Sequence, residues 1–250
     1  MNTVIQEFVS TIEKGPFKYL KDYEGEEASA FIEAKNMDTG DIYTCAVYQA
    51  WLDMCRTVPG SGKDDKADLM KDARETAASA LRLYFSGKPK TTGDIFDRWY
   101  DSVRFDVGSP SGLTIGQTQK ILNMAFKYLY CCEDIRNQYE EHFRWCHMPL
   151  DSFTLKWYMD NFPGSMYHGE AWSKIDDLYL YHAIQDEIRE KLGGENVLLQ
   201  EFPIWQQEKE AAEKSEFIAS AKRIVKHENC PESLRSELNQ YIEEQEKDKK

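Results

Sequence analysis

Residues 113–130 read "LTIGQTQKILNMAFKYLY", and this stretch decides the fold class. Residues of an α-helix advance by about 100° each, so Lys120 and Lys127 lie within about 20° of one another, with Asn123 on the same side. The rest of the helix beyond its first turn is apolar. A helix that is apolar around most of its circumference packs against neighbours on most sides. The stretch therefore predicts a largely buried helix that carries one polar line.

Three interpretations of this polar line, Lys120–Asn123–Lys127, remain open from the residues alone. In the first, the line faces solvent and the lysines extend their ammonium groups into water. In the second, it faces an anion, and in the third, it faces a cleft. An amine in a partly desolvated cleft holds its charge less firmly than in water, and it can then act as a nucleophile.

The remaining sequence is helical in pattern almost throughout, which predicts a mainly α protein. The predicted helices lie near 3–13, 42–56, 65–86, 94–105, 116–131, 151–160, 173–192, 204–227 and 231–246. Asp41, Asp94 and Ser173 are placed as helix starts, because short polar side chains cap helix N-termini. Two segments with weak alternation, 28–35 and 196–202, are candidates for short strands.

The domain organisation follows from a change in composition near residue 206. Residues 1–205 predict one compact multi-helix domain. Residues 206–250 are charged and carry a thinner apolar stripe, which predicts an appended C-terminal helical hairpin with a solvated tail. The apolar stripe consists of Phe217, Ile218, Ala221, Ile224 and Val225. A protein partner could bind through these helices.

Composition narrows the class of protein and its compartment. The formal net charge is −13, whereas nucleic-acid binding relies on cationic groups, so DNA binding would need a local face. No apolar run approaches the length of a membrane span, and the N-terminus lacks the pattern of a secretory signal. The six cysteines are scattered, which favours reduced thiols in the cytoplasm. His142 and Cys146 have no second ligand pair at zinc spacing, so we expect no metal and no cofactor.

A second motif, "HMPLDSFTLKWY" at 147–158, places Asp151 where a helix starts. Capping of the first free N–H groups is sufficient to explain an aspartate there. The same position would also keep the carboxylate ionised and rigidly aimed, so that it could stabilise a developing cation or accept a proton from an amine.

Taken together, "QKILNMAFKYLY" and "PLDSFTLK" resemble the helix-hairpin-helix DNA glycosylase superfamily. These enzymes pair a lysine at a hairpin–helix junction with an aspartate in a P-[VLI]-D segment. The chain is most similar to the archaeal 8-oxoguanine DNA glycosylase type, in which a second lysine follows seven residues after the first. The resemblance covers residues 112–160. The hairpin of this superfamily usually has a G-x-G turn whose N–H groups hold a DNA phosphate, whereas "LTIGQTQK" has Gly116 alone.

The resemblance implies a lysine-based excision of a damaged base that has been flipped out of the DNA. Lys120 would attack C1′ of the nucleotide and form a Schiff base, and Asp151 would accept the lysine proton or steady the sugar cation. Asn123 and Lys127 would contribute to substrate binding. Trp172 and Trp205, which lie beside loops, would offer flat surfaces to the flipped base, although tryptophans also serve as core residues.

A function of a different class stays open beside the enzyme. The acidic charge, the missing G-x-G turn and the charged C-terminal segment favour a non-enzymatic helical protein-interaction module, such as an accessory protein of a bacterial or mobile-element system. Such a module could share the scaffold without the activity, since a fold does not specify a function.

Overall fold

A computed structural model of the chain describes residues 3–11, 42–59, 64–227 and 229–247. Over these ranges the protein is mainly α-helical and contains no β-strand. The helices are α1 (Thr3–Ser10), α2 (Ile42–Met54), α3 (Asp64–Ser86), α4 (Gly93–Ser111), α5 (Ile115–Cys131), α6 (Glu133–Gln138), α7 (Ser152–Asn161), α8 (Leu178–Lys191), α9 (Val197–Val225) and α10 (Glu232–Lys247). Short 3₁₀ turns lie at Cys55–Thr57, Glu140–His142 and Trp172–Lys174.

The chain divides into two units, Met1–Ile204 and Trp205–Lys250. The sequence placed a domain boundary one residue further along, where the composition changes. In the second unit, Ile218, Ala221 and Ile242 form a small apolar cluster between α9 and α10.

Helix α5 is buried along its whole length. Every residue from Ile115 to Cys131 is buried. The helix packs against α2, α4, α6, α8 and the 172–174 turn. Thr114 caps its first turn, accepting a hydrogen bond from the Gln117 N–H while the Gln117 side chain accepts one from the Thr114 N–H. The expected buried helix is therefore present.

The solvent-facing interpretation of the polar line is wrong. Lys120 is 5% exposed, and Asn123 and Lys127 are fully buried. A buried polar or charged group costs free energy unless it is hydrogen-bonded or paired. The partners of these three side chains therefore decide what the line can do.

Several local predictions are corrected by the structure. Residues 197–202, a candidate strand from the sequence, form the first turns of helix α9, and Val197, Leu198 and Phe202 are buried there. Helix α4 is capped by Thr92 rather than Asp94, and α8 by Asp177 rather than Ser173. The segment 107–111, which reads as a loop, completes α4, and α6 was not expected. The candidate strand 28–35 and the predicted cap Asp41 lie outside the described residues.

The last turn of α4 shows why a Pro-containing segment can remain helical. Pro110 has no N–H to donate to the preceding turn. The Ser111 hydroxyl donates to the Val107 carbonyl at 2.8 Å and stabilises this end of the helix. Gly112 then ends the helix in the left-handed region, with φ 65°.

Candidate active site

The Asp151 carboxylate has two kinds of partner, one on each oxygen. Oδ1 accepts hydrogen bonds from the N–H groups of Phe153 at 2.9 Å and Thr154 at 3.0 Å, and so caps α7. Oδ2 accepts a hydrogen bond from Lys120 Nζ at 2.9 Å. The capping role and the pairing role, which the sequence left as alternatives, are therefore filled by the same side chain. A carboxylate held at both oxygens has little freedom to rotate.

The Lys120–Asp151 ion pair is almost completely shielded from solvent. The side chain of Lys120 is 6% exposed and that of Asp151 is 13% exposed. The indole ring of Trp172, itself almost buried, lies with its centroid 5.9 Å from Lys120 Nζ. The structure thus brings together three of the residues that the sequence singled out.

The Asp151 carboxylate is held in its ionised form. Burial is the largest influence and by itself would raise the pKa of Asp151. The charge of Lys120, the Thr154 N–H, the hydrogen bond from Lys120 and the charge of Lys127 act in the other direction, and together they lower the pKa below its ordinary value. Asp151 is accordingly a fixed anion at neutral pH.

A second lysine–carboxylate pair lies deeper. Lys127 Nζ pairs with a carboxylate oxygen of Glu201, and both side chains are fully buried. The ammonium also faces two aromatic rings, Phe8 at 3.7 Å and Phe202 at 4.7 Å from the ring centroids. Burial raises the pKa of Glu201 above its ordinary value, although the nearby charge of Lys127 acts to lower it. Asp151, with its backbone N–H donors, is therefore the more firmly ionised of the two carboxylates.

The side-chain nitrogen of Asn123 is hydrogen-bonded to three protein groups. Its Nδ2 donates to Gln119 Oε1 at 3.0 Å, to the Tyr181 hydroxyl at 3.2 Å and to the Met148 carbonyl at 3.3 Å. A substrate contact by Asn123 or Lys127 would require these buried contacts to be exchanged. Their assignment to substrate binding stays a prediction. Trp205 belongs to the second unit, and its assignment also stays a prediction.

Gly116 allows the Trp172 turn to lie directly against α5. A Cβ atom at this position would come within 1.8 Å of the Trp172 carbonyl oxygen, which only glycine avoids. The Gly116 N–H donates to the Ile175 carbonyl at 2.7 Å, and the Thr114 hydroxyl donates to the Ser173 carbonyl at 2.8 Å. Close approach of the turn to the helix backbone is what places the Trp172 ring near Lys120.

The turn between α4 and α5 uses its N–H groups internally. The Gly112 N–H donates to the Gly108 and Ser109 carbonyls, and the Leu113 N–H donates to the Gly108 carbonyl. The N–H groups of Thr114 and Gln117 donate to each other's side chains. The Ile115 N–H donates to Asp176 Oδ1, and the Gly116 N–H donates to the Ile175 carbonyl. The superfamily that the sequence resembles uses such N–H groups to hold a DNA phosphate. Here the Asp176 carboxylate occupies the helix N-terminus, where an anion is favoured.

Sequence reasoning missed Glu201 and Gln119. Glu201 lies in the segment that was a candidate strand, and Gln119 looked like an ordinary first-turn residue. One signal for Glu201 was available, because a lysine on a helix that is buried all round needs an anion supplied by another element. The sequence cannot say which of the 44 acidic residues supplies it.

Comparison with models of protein families, with curated proteins and with solved structures gives no match. Within the described ranges, no three His, Cys, Asp or Glu side chains are grouped so that they could hold a metal ion. None of the helices described here has both the length and the apolar character needed to cross a membrane.

Proposed function

We propose that the chain is a DNA glycosylase/lyase-like protein of the helix-hairpin-helix kind, which excises a damaged or modified base through a lysine Schiff base. The observation that carries the proposal is the 2.9 Å contact between Lys120 Nζ and Asp151 Oδ2. Both residues also lie in the two sequence motifs, "QKILNMAFKYLY" and "PLDSFTLK". A lysine nucleophile needs a base within hydrogen-bond reach, and a sugar cation needs a nearby fixed anion.

The residues divide the reaction between them. The Lys120 ammonium must lose a proton before it can attack, and Asp151 Oδ2 is an acceptor within hydrogen-bond distance. The amine then forms a bond to C1′ while the bond from C1′ to the base nitrogen breaks and its electron pair leaves with the base. A second proton then moves from the nitrogen to O4′ while the C1′–O4′ bond breaks, so the sugar ring opens and C1′ and the nitrogen form the protonated Schiff base. If the lysine proton passes to solvent instead, Asp151 stays ionised and stabilises the positive charge that develops on the sugar.

Access to the pair requires a local movement. Lys120 and Asp151 are too enclosed to receive a nucleotide without one. The segment 172–176 is the natural element to move, because three hydrogen bonds hold it to the start of α5: Thr114 donates to Ser173, Ile115 to Asp176 and Gly116 to Ile175. Opening this turn would uncover Lys120 and present the Trp172 ring to a flipped base.

The second candidate function is a non-enzymatic protein-interaction module. The observation in its favour is that the N–H groups of the α4–α5 turn already have protein acceptors, in a chain whose net charge is −13. In this function the Lys120–Asp151 pair is a structural ion pair. Partner binding would use the C-terminal helices, on which Phe217 and Ile224 are exposed.

Borohydride trapping separates the two functions. The protein is incubated with oligonucleotides that carry 8-oxoguanine, uracil or an abasic site, and covalent complexes are counted after reduction. We expect trapping by the unmodified protein and none by Lys120→Gln. Lys156→Gln is the matched control, because Lys156 is exposed on α7 and should leave trapping unchanged.

Asp151→Asn separates chemistry from helix capping. Asparagine also caps helices well, so α7 should persist while the fixed anion is lost, and we expect trapping to slow by about 100-fold or more. If the unmodified protein traps none of the three oligonucleotides, the glycosylase proposal is contradicted and the protein-interaction module is the remaining candidate function. Trapping that survives Lys120→Gln would assign the nucleophile to another amine.

A further inference from the structure

Asp151 is preceded by a buried segment that lies outside the helices. Residues 143–151 connect the 3₁₀ turn at Glu140–His142 to α7; within them residues 146–150 are buried, Met148 and Leu150 completely. Among the described residues no strand lies beside this segment to satisfy its backbone groups. A buried backbone N–H or carbonyl without a partner costs about 1–3 kcal/mol, so other groups must supply the hydrogen bonds.

Two buried glutamine side chains supply them. Gln185 of α8 accepts from the Met148 N–H at 3.1 Å and donates to the Met148 carbonyl at 2.9 Å. Gln119 of α5 accepts from the Leu150 N–H at 3.1 Å and donates to the Leu150 carbonyl at 2.8 Å. Each amide makes the pair of hydrogen bonds that a residue on a neighbouring β-strand would make.

The two glutamines differ in their relation to the candidate active site. Gln119 immediately precedes Lys120, and its backbone partner Leu150 immediately precedes Asp151. The Gln119–Leu150 contact therefore sets the distance at which Lys120 and Asp151 face each other. Gln185 fixes the same segment at Met148, which is further from Asp151. Asn123 orients the Gln119 amide by donating to its Oε1 at 3.0 Å.

We propose that Gln119 is a positioning residue of this site: its amide holds the backbone at Leu150, and so keeps the Asp151 carboxylate within hydrogen-bond distance of Lys120. The catalytic consequence rests on the proposed function, whereas the geometric consequence does not. Gln185 makes the same two hydrogen bonds to backbone at equal burial, so it provides a matched control for the loss of those two bonds; Gln119 also accepts a hydrogen bond from Asn123.

The experiment follows the ammonium groups of the full-length protein by proton–nitrogen NMR at neutral pH. An ammonium that is buried in an ion pair exchanges its protons slowly with water, and Lys120→Gln identifies the signal of Lys120. In Gln119→Met, we expect proton exchange at Lys120 to become about tenfold faster or more, because the ion pair opens more often. In Gln185→Met, exchange at Lys120 should stay within about twofold of the unmodified protein. The ammonium of Lys127 serves as an internal reference in every sample.

Equal exchange rates at Lys120 in Gln119→Met and Gln185→Met would overturn the proposal. If Gln119→Met does not fold, the comparison is made between Gln119→Asn and Gln185→Asn, which keep a buried amide one methylene shorter. The trapping assay supplies the catalytic readout, and the rate for the Gln119 variant should fall at least about tenfold below that of the Gln185 variant. Because the exchange measurement needs no DNA, absence of trapping by the unmodified protein would remove the proposed function and leave the positioning role to be decided by exchange.

Discussion

At the scale of single residues, Asp151 and Glu201 show how hydrogen-bond donors set the pKa of a carboxyl group that pairs with a lysine of α5. Asp151 and Glu201 each pair with a lysine. Only Asp151 also accepts backbone N–H groups at a helix N-terminus, and its pKa is lowered, whereas burial raises the pKa of Glu201. Hydrogen bonds to the charged form are what distinguish them.

His147 is a buried residue whose protonation is set by its hydrogen-bond partners and by burial. Its Nε2 lies 2.8 Å from Asp97 Oδ1, and its Nδ1 lies 2.7 Å from the Tyr181 hydroxyl. An ionised carboxylate can only accept, so Nε2 carries the proton and Nδ1 accepts from Tyr181. The pKa of His147 is lowered to about 4; burial is the largest cause, the charge of Arg189 acts in the same direction, and the hydrogen bond to Asp97 opposes both. The imidazole is therefore neutral in the folded protein at pH 7.

We expect stability to fall as the pH is lowered from about 6.5 to about 4. Between these values the unfolded chain binds a proton at His147 that the folded protein does not, so acid favours unfolding by up to about 3 kcal/mol. Urea unfolding at a series of pH values measures this loss. His147→Gln can keep both hydrogen bonds without titrating, so it should lose less stability across the window. Exposed His168→Gln is the control, and an identical pH dependence in all three proteins would contradict the prediction.

At the scale of elements, the start of α5 is organised by contact with the 172–175 turn. Gly116 permits the contact, and the Asp176 carboxylate accepts from the Ile115 N–H at 3.1 Å. The Ile115 and Gly116 N–H groups at the N-terminus of α5 therefore already have acceptors within the same protein chain. The lone glycine of "LTIGQTQK" thus has a packing role that differs from the phosphate-binding role of a G-x-G turn.

Gly116→Ala should destabilise the protein by at least about 2 kcal/mol, because the added Cβ meets a backbone carbonyl that cannot move without the turn. Thermal unfolding followed by circular dichroism measures the change. Gly164→Ala is the matched control, since nothing lies within 4 Å of its added Cβ. An unchanged melting temperature in Gly116→Ala would show that the turn does not need this close approach.

At the scale of the whole molecule, the two units differ in the size of their apolar cores. In the second unit, three buried residues form the cluster, and Val225, Leu238 and Tyr241 pack against it while partly exposed. The first unit contains the buried helix α5 and the elements around it. Burial of apolar area is the main favourable term in folding, so most of the stability should reside in the first unit.

Deletion of residues 207–250 should leave a chain that unfolds in one cooperative thermal transition. The truncation keeps the buried start of α9, including Glu201 and Phe202. The isolated segment 205–250 should lack such a transition, because chains near this length rarely fold alone. Calorimetry of both fragments tests the prediction. A truncated first unit that precipitates, or that melts without cooperativity, would show that the C-terminal segment is required.

The sequence by itself determined the helical class, the buried state of α5 and the two residues of the candidate pair. Apolar periodicity is local, so a helix that is apolar nearly all round must be buried whatever surrounds it. Asp151 could be placed at a helix start because capping is also local. These predictions needed only neighbours within a few positions.

Tertiary structure alone decided which partners the buried polar groups meet. The pairing of Lys127 with Glu201, the two bonds from Gln119 to Leu150 and the use of the Gly116 N–H by Ile175 join residues that are distant in the chain. Periodicity indicates that a polar group on a buried helix needs a partner, but it carries no information about which distant element supplies it. Residues 197–202 read ambiguously for the same reason, because packing rather than local pattern selects a helix when a short apolar run fits either state.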